Sequence, residues 1–313
     1  MPSRLQPVKP PALRRGDTIG IVAPASNMNH DDFTAGCEAL NRAGYRTFYL
    51  DSIFEKDLYF AGSVERRTHE LEEMFERDDI RAIVCVRGGY GANYLLKTLD
   101  LAKIKAHPKI FVGYSDITAL LTYLNDATGL VTFHGPMIAK DWNHAGGINP
   151  PSWQAAVANI GAWEVPLNPE ATALMEGEAE GILYGGCLSI LVASIGTPYQ
   201  IKTDGTILFL EDLAAKPFQV DRMLMQLKFA GLLDKVRGLV FGQMLECIQT
   251  AGQGYTLEEV IRRIVGDLNV PVAYGVRSGH VTSGNITLPF GVTSQLSVKA
   301  GQVSLEILES AVS

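Results

Sequence analysis

The chain has 313 residues, 47% hydrophobic and 19% charged, enough for two domains with a core each, which excludes a disordered polypeptide. A formal net charge of -7 provides no general cationic surface for a phosphate backbone, so no nucleic-acid partner is expected. From residue 18 onward, short apolar runs alternate with helical patterns. Residues 18–23, 46–50, 81–86, 109–113 and 130–133 read as strands, and 31–43, 64–77, a segment from about 92, and 117–125 read as helices. Strands of near-continuous apolar and β-branched content separated by helices predict a parallel sheet covered on both faces, with the ligand crevice beyond the strands' carboxyl ends.

Between residues 143 and 181 the pattern weakens into Gly146-Gly147, Pro150-Pro151 and an acidic stretch from Glu170 to Glu180, a composition suited to a connection. The expected division is a first domain over 1–165, a linker over 166–180 and a second domain over 181–313. In the second, helices are expected at 188–195, 218–233 and 257–268, and strands at 206–210 and 238–241. Short strands at 286–289, 295–299 and 303–307, joined by Gly-containing turns, predict a mixed α/β domain ending in β-hairpins. Cys37, Cys85, Cys187 and Cys247 form no C-x-x-C pair and read as reduced, buried thiols. The first eleven residues lack the apolar centre of a secretory signal, and no stretch reaches roughly 18 apolar residues. A cytoplasmic protein without membrane contact is expected.

The most informative junction is Gly113-Tyr-Ser-Asp116, where an apolar strand runs into an apolar-periodic helix with almost no loop. Such a corner lifts Ser115 above the sheet, next to the free N–H groups of a helix start, as a serine nucleophile requires. Taken alone, the same corner also reads as a helix cap by Ser115 or Asp116. Arg87-Gly-Gly-Tyr-Gly91 follows another buried strand and should reach the same sheet edge. It lacks both G-x-G-x-x-G and a terminal Gly-Lys-Ser/Thr, so an oxyanion contribution from Gly88 or Gly89 fits better than a phosphate loop.

A serine needs a base. Of the six histidines, His69 and His107 sit in charged surroundings, His30 at a helix start and His144 in the irregular connection. His134, at a strand end, and His280, in Ser278-Gly-His-Val281, remain; His280 stands between turn-forming residues, as a mobile catalytic imidazole would. Glu211 and Asp212, just after an apolar strand, supply candidate orienting acids. Ser115, Glu211 and His280 are compatible in chain order with a triad, without establishing one.

These fragments, with Gly16-Asp-Thr-Ile-Gly-Ile-Val-Ala-Pro-Ala-Ser26, His134-Gly-Pro136, Gly185-Gly-Cys-Leu188, Leu210-Glu-Asp212 and Gly279-His280, resemble in order and spacing the serine LD-carboxypeptidases of bacterial cell-wall recycling, a family that includes microcin immunity peptidases. The resemblance spans nearly the whole chain. It implies a flavodoxin-like first domain, Ser115 as nucleophile with Glu211 and His280 completing the triad, and an oxyanion hole from the backbone N–H groups of Gly88 or Gly89 and Asp116. It further implies a homodimer, no metal or organic cofactor, and cleavage of murein tetrapeptides before the terminal D-alanine. One departure is Cys187, where many relatives carry Asn; as a rival nucleophile it has no base in its sequence neighbourhood. The alternatives are hydrolysis of a nucleotide-peptide antibiotic of the microcin type and, from another class, non-catalytic ligand capture between two α/β domains.

Overall fold

The computed structural model describes residues 5–249 and 252–313. In its first half, strands β1 (Thr18–Val22), β2 (Arg46–Phe48), β3 (Ile80–Cys85), β4 (Ile110–Gly113) and β5 (Thr132–His134) alternate with helices α1 (His30–Arg42), α2 (Val64–Glu76), α3 (Leu101–Ala106) and α4 (Thr118–Thr128). All adjacent pairs among these five strands are parallel, in the order 2-1-3-4-5, which is the flavodoxin-like arrangement with its switch point between β1 and β3. The helices start where local chemistry dictates: Asn29 and Ser63 accept backbone N–H groups at the starts of α1 and α2, satisfying donors that the first turn leaves free.

Residues 143–181 contain more structure than their composition suggests. Helix α5 (Pro150–Ala158) begins at Asn149, whose side chain accepts the Ser152 N–H. Pro150 and Pro151 occupy its first turn, where a missing N–H costs nothing. Two short strands, β6 (Trp163–Glu164) and β7 (Thr172–Met175), precede the long β8 (Gly177–Cys187). Of the acidic residues read as a connection, Glu178 and Glu180 lie on β8 and face solvent while Ala179 between them is half-buried, the alternation of a strand wet on one face.

The remaining elements are α6 (Leu188–Ala193), β9 (Thr206–Glu211), α7 (Pro217–Phe229), β10 (Gly238–Gly242), α8 (Leu257–Val265), β11 (Val272–Val276), β12 (Leu288–Phe290), β13 (Thr293–Lys299) and β14 (Gln302–Ile307). An eight-stranded sheet of order β6-β14-β13-β8-β9-β10-β11-β7 mixes a parallel centre with antiparallel edges. The closing hairpin β13–β14 is as expected. Strand β12 instead crosses over and pairs antiparallel with β5, with Leu288 opposite His134. One buried apolar cluster therefore runs from the first sheet onto Phe209, Val240 and Phe290, and a second fills the far side of the second sheet around Leu208, Leu224 and Ile261. Among the described residues, no helix is long and apolar enough to cross a membrane.

Candidate active site

The carboxyl ends of β4, β9 and β11 converge on one point. Ser115 sits between β4 and α4 with φ +63°, the left-handed conformation that costs a non-glycine residue of order 1–3 kcal/mol and persists where surrounding structure imposes it. Its Oγ lies 3.0 Å from His280 Nε2, and His280 Nδ1 lies 2.7 Å from Glu211 Oε2. An ionised carboxylate only accepts, so Nδ1 carries the proton and Nε2 is free to accept from the serine hydroxyl. The same Glu211 oxygen also accepts the His280 backbone N–H at 3.1 Å, which fixes the ring's approach.

Glu211 ends β9 and is 1% exposed. Burial pushes its carboxyl upward, but the charge of His280 and the facing His134 outweigh this and hold it at about 2. For His280, burial pushes the imidazole down, and Glu211 more than reverses that, leaving it above its ordinary value. Its loop is tied down by the side chain of Asn285. Asn285 accepts the Gly279 N–H at 3.0 Å and donates to the Gly279 carbonyl and to the buried Asp141. Gly279 is at φ +92°, and a Cβ there would meet Glu211 Cδ at 2.6 Å and His134 Cε1 at 2.8 Å.

His134, the other histidine singled out from sequence, is fully buried behind Glu211. Ser278 donates to the Ile286 carbonyl at 2.7 Å, so it accepts from His134 Nδ1 at 3.0 Å. His134 Nε2 then faces Glu211 Oε1 at 3.8 Å, beyond hydrogen-bond length. Asp212, one residue on, turns the other way and accepts the Ser189 N–H at the start of α6 at 2.8 Å. His30 and His144 are exposed, and His69 pairs with Glu73 on the surface.

The glycine loop after β3 lies against Ser115. A Cβ on Gly88 would fall 2.7 Å from Ser115 Cβ, 2.9 Å from its Oγ and 3.1 Å from the Asp116 backbone nitrogen. The Asp116 N–H opens a helical turn and so has no intrahelical acceptor. The Asp116 side chain accepts the Ala92 N–H at 2.7 Å; burial raises its carboxyl to about 6. Ser26, after β1, accepts the Tyr90 N–H at 3.0 Å and anchors the loop from its other side.

One neighbour was not legible from spacing. Cys187 pairs in register with Glu211 across β8 and β9, and its Sγ, a Glu211 oxygen and a His280 nitrogen lie within 4.8 Å of one another. A base therefore is close to this cysteine, although its sequence neighbourhood contains none. The thiol is 4% exposed, and burial, with Glu211 and Asp212 adding to it, pushes its pKa well up, which makes it a poor nucleophile. The three donors resemble a metal set, but both His280 nitrogens already serve Glu211 and Ser115.

A hydroxyl, an imidazole and a buried carboxylate in hydrogen-bonded series, beside free N–H groups, define the class of serine hydrolases. Residues 19–135 match the LD-carboxypeptidase N-terminal domain and residues 180–296 the LD-carboxypeptidase C-terminal domain, and the chain belongs to this family. A Bacillus subtilis protein named a probable murein peptide carboxypeptidase is 35% identical over 292 residues, covering 92% of this chain and 91% of that protein. The muramoyltetrapeptide carboxypeptidase of Oxalobacter formigenes superposes with a TM-score of 0.84 at 30% identity, covering 94% of this chain and 99% of that one. The microcin C7 self-immunity protein MccF of Escherichia coli superposes at 0.90 with 27% identity, over 98% of this chain and all of that one.

Proposed function

We propose that the protein is a serine carboxypeptidase that cuts the L-D peptide bond before the C-terminal D-alanine of murein tetrapeptides. The observation that carries this reading is the continuous series Ser115 Oγ, His280, Glu211 Oε2 at 3.0 and 2.7 Å, in a chain of the LD-carboxypeptidase family. Ser115 Oγ attacks the scissile carbonyl carbon while His280 Nε2 takes its proton. The oxyanion is met by the Asp116 N–H and by that of Gly88 or Gly89. As the C–N bond breaks, His280 returns the proton to the leaving amine of D-alanine, and water then hydrolyses the acyl-enzyme by the same route. Glu211 holds the imidazole in its Nδ1–H tautomer and offsets its developing charge.

The nucleophile lies in the portion before the 166–180 segment, which we take as the division between lobes, and the acid and base in the portion after it. By the family likeness, the working form is a cytoplasmic homodimer. Light scattering that finds only a 34.0 kDa monomer at micromolar concentration would remove the dimer from this reading.

The test compares a tetrapeptide ending in L-D linkage, its L-L counterpart, a version extended past the D-alanine and a microcin-type nucleotide peptide, with product masses and chiral analysis. Release of D-alanine from the first alone is expected, because inversion at the leaving centre misplaces the side chain or the carbonyl and costs about 10²-fold. Equal rates on the L-D and L-L peptides would refute the LD specificity. Preferential cleavage of the nucleotide peptide would move the protein to the immunity branch that MccF represents.

A further inference from the structure

We propose that Arg87 binds the terminal carboxylate of the leaving D-amino acid and thereby restricts the enzyme to chain ends. The inference rests on the carboxypeptidase reading and assigns the residue that confers it. In any C-terminal dipeptide unit the terminal carboxylate carbon is three bonds from the scissile carbonyl carbon, so the two lie within about 4 Å. Whatever holds that carboxylate must therefore border the loop that receives the oxyanion. A planar guanidinium matches a carboxylate with two parallel hydrogen bonds and is the group most suited to the task.

Arg87 is the residue immediately before Gly88, at the mouth of the β1/β3 switch point. Its guanidinium folds back along the loop: Nη2 is 3.7 Å from where a Cβ of Gly89 would stand. It also bears on the catalytic side, since its positive charge acts on the Tyr114 hydroxyl, and the Tyr114 ring stands edge-on to His280 at 5.2 Å. Yet this guanidinium is almost unused by the protein. Its Nε is buried with no hydrogen-bond partner, and Nη1 makes one long contact, 3.4 Å, to the Asn27 carbonyl. Three arginines near it are engaged elsewhere. Arg66 is paired with Glu70 at 2.9 Å, Arg67 donates to the Pro24 and Gly91 carbonyls at 2.8 Å, and Arg277 pairs with Glu170 at 2.9 Å. A half-buried cation left without an anion beside a nucleophile is costly unless a substrate supplies one.

The experiment measures D-alanine release by the full chain from a murein tetrapeptide and from its C-terminal amide, for wild type, Arg87→Ala and Arg87→Lys. Wild type is expected to prefer the free acid by about 10²-fold in kcat/KM, the scale of an unpaired buried charge partner. Arg87→Ala should lose about 10²-fold on the acid, mostly in KM, and change by less than threefold on the amide; Arg87→Lys should recover part of the preference. Equal losses of Arg87→Ala on acid and amide would overturn the proposal and leave Arg87 as a support of the glycine loop. Should Arg87→Ala not fold, the wild-type acid-to-amide ratio and its narrowing in Arg87→Lys decide; a ratio near one in wild type overturns it. Wild type that releases no D-alanine from either peptide overturns the carboxypeptidase reading and this proposal with it, whereas release without acid preference overturns only the latter.

Discussion

Asp116 Oδ2 accepts the Ala92 N–H at 2.7 Å, so the residue that follows the serine corner also holds the far end of the glycine loop. The two segments proposed to receive the oxyanion are thus fastened to each other by a side chain whose own backbone N–H is one of the proposed donors. Asp116→Ala keeps that N–H but leaves the buried Ala92 donor without its acceptor, a cost of about 1–3 kcal/mol. Stability should fall by that amount in denaturant titration, and kcat by about 10²-fold as the donors lose alignment. Unchanged kcat would show that loop and corner hold their relation without the carboxylate.

Ser115→Ala and Ser115→Gly should both abolish hydrolysis, and they should differ in stability. The φ of +63° at this position strains alanine as it strains serine, while glycine adopts it freely. Thermal unfolding is expected to rank Ser115→Gly about 1 kcal/mol above Ser115→Ala. Combining either with His280→Ala should add little further loss, since members of a hydrogen-bonded series act as a unit. Multiplicative losses would contradict a shared mechanism.

Gly279→Ala brings a methyl to within 2.6 Å of Glu211 Cδ at a φ of +92°. Neither neighbour can yield, because Glu211 and His134 are both fully enclosed. The expected outcome is a loss of about 1–3 kcal/mol together with at least a tenfold drop in kcat as the carboxylate leaves His280. A variant with wild-type kcat would mean that the carboxylate's position is immaterial.

The pH dependence follows from the pair. His280 must be neutral to accept the serine proton, and its imidazole is held above 6.5 by Glu211. The acid limb of kcat/KM should therefore have its midpoint above 6.5, and Glu211→Gln should move that limb to lower pH while reducing the rate. Stability has the matching signs. The raised His280 contributes fully below 6.5 and its contribution is lost as pH climbs through the folded value. The lowered Glu211 contributes fully above 4.5 and loses its contribution as pH falls toward about 2. The stability difference between wild type and Glu211→Gln should accordingly be largest between 4.5 and 6.5, and a flat difference across pH 3–9 would contradict the coupling.

Chelators should leave turnover unchanged, and Cys187→Ser should stay within about threefold of wild type, because the thiol is buried and protonated. Loss of activity in chelator with recovery on added zinc would instead assign a metal to Cys187, Glu211 and His280.

Local chemistry carried much of this protein into view. Gly113-Tyr-Ser-Asp116 announces a strand-to-helix corner because apolar period and helix-start residues are properties of neighbours in the chain, and the alternation through residue 133 implies the parallel sheet for the same reason. Helix α5 was hidden because Pro150-Pro151 punctuates a loop and a helix start alike, and only Asn149 ahead of them separates the two. What the sequence could not determine are approaches between distant segments. His280 meets Ser115 across 165 positions and Glu211 across 69, and Cys187 joins them through the β8–β9 register. The crossing of β12 into the first sheet, the left-handed φ of Ser115 and the fastening of Gly279 by Asn285 belong to the same category. Each depends on how two sheets pack over a shared core, where burial area and steric fit, rather than local periodicity, choose among the arrangements that the chain permits.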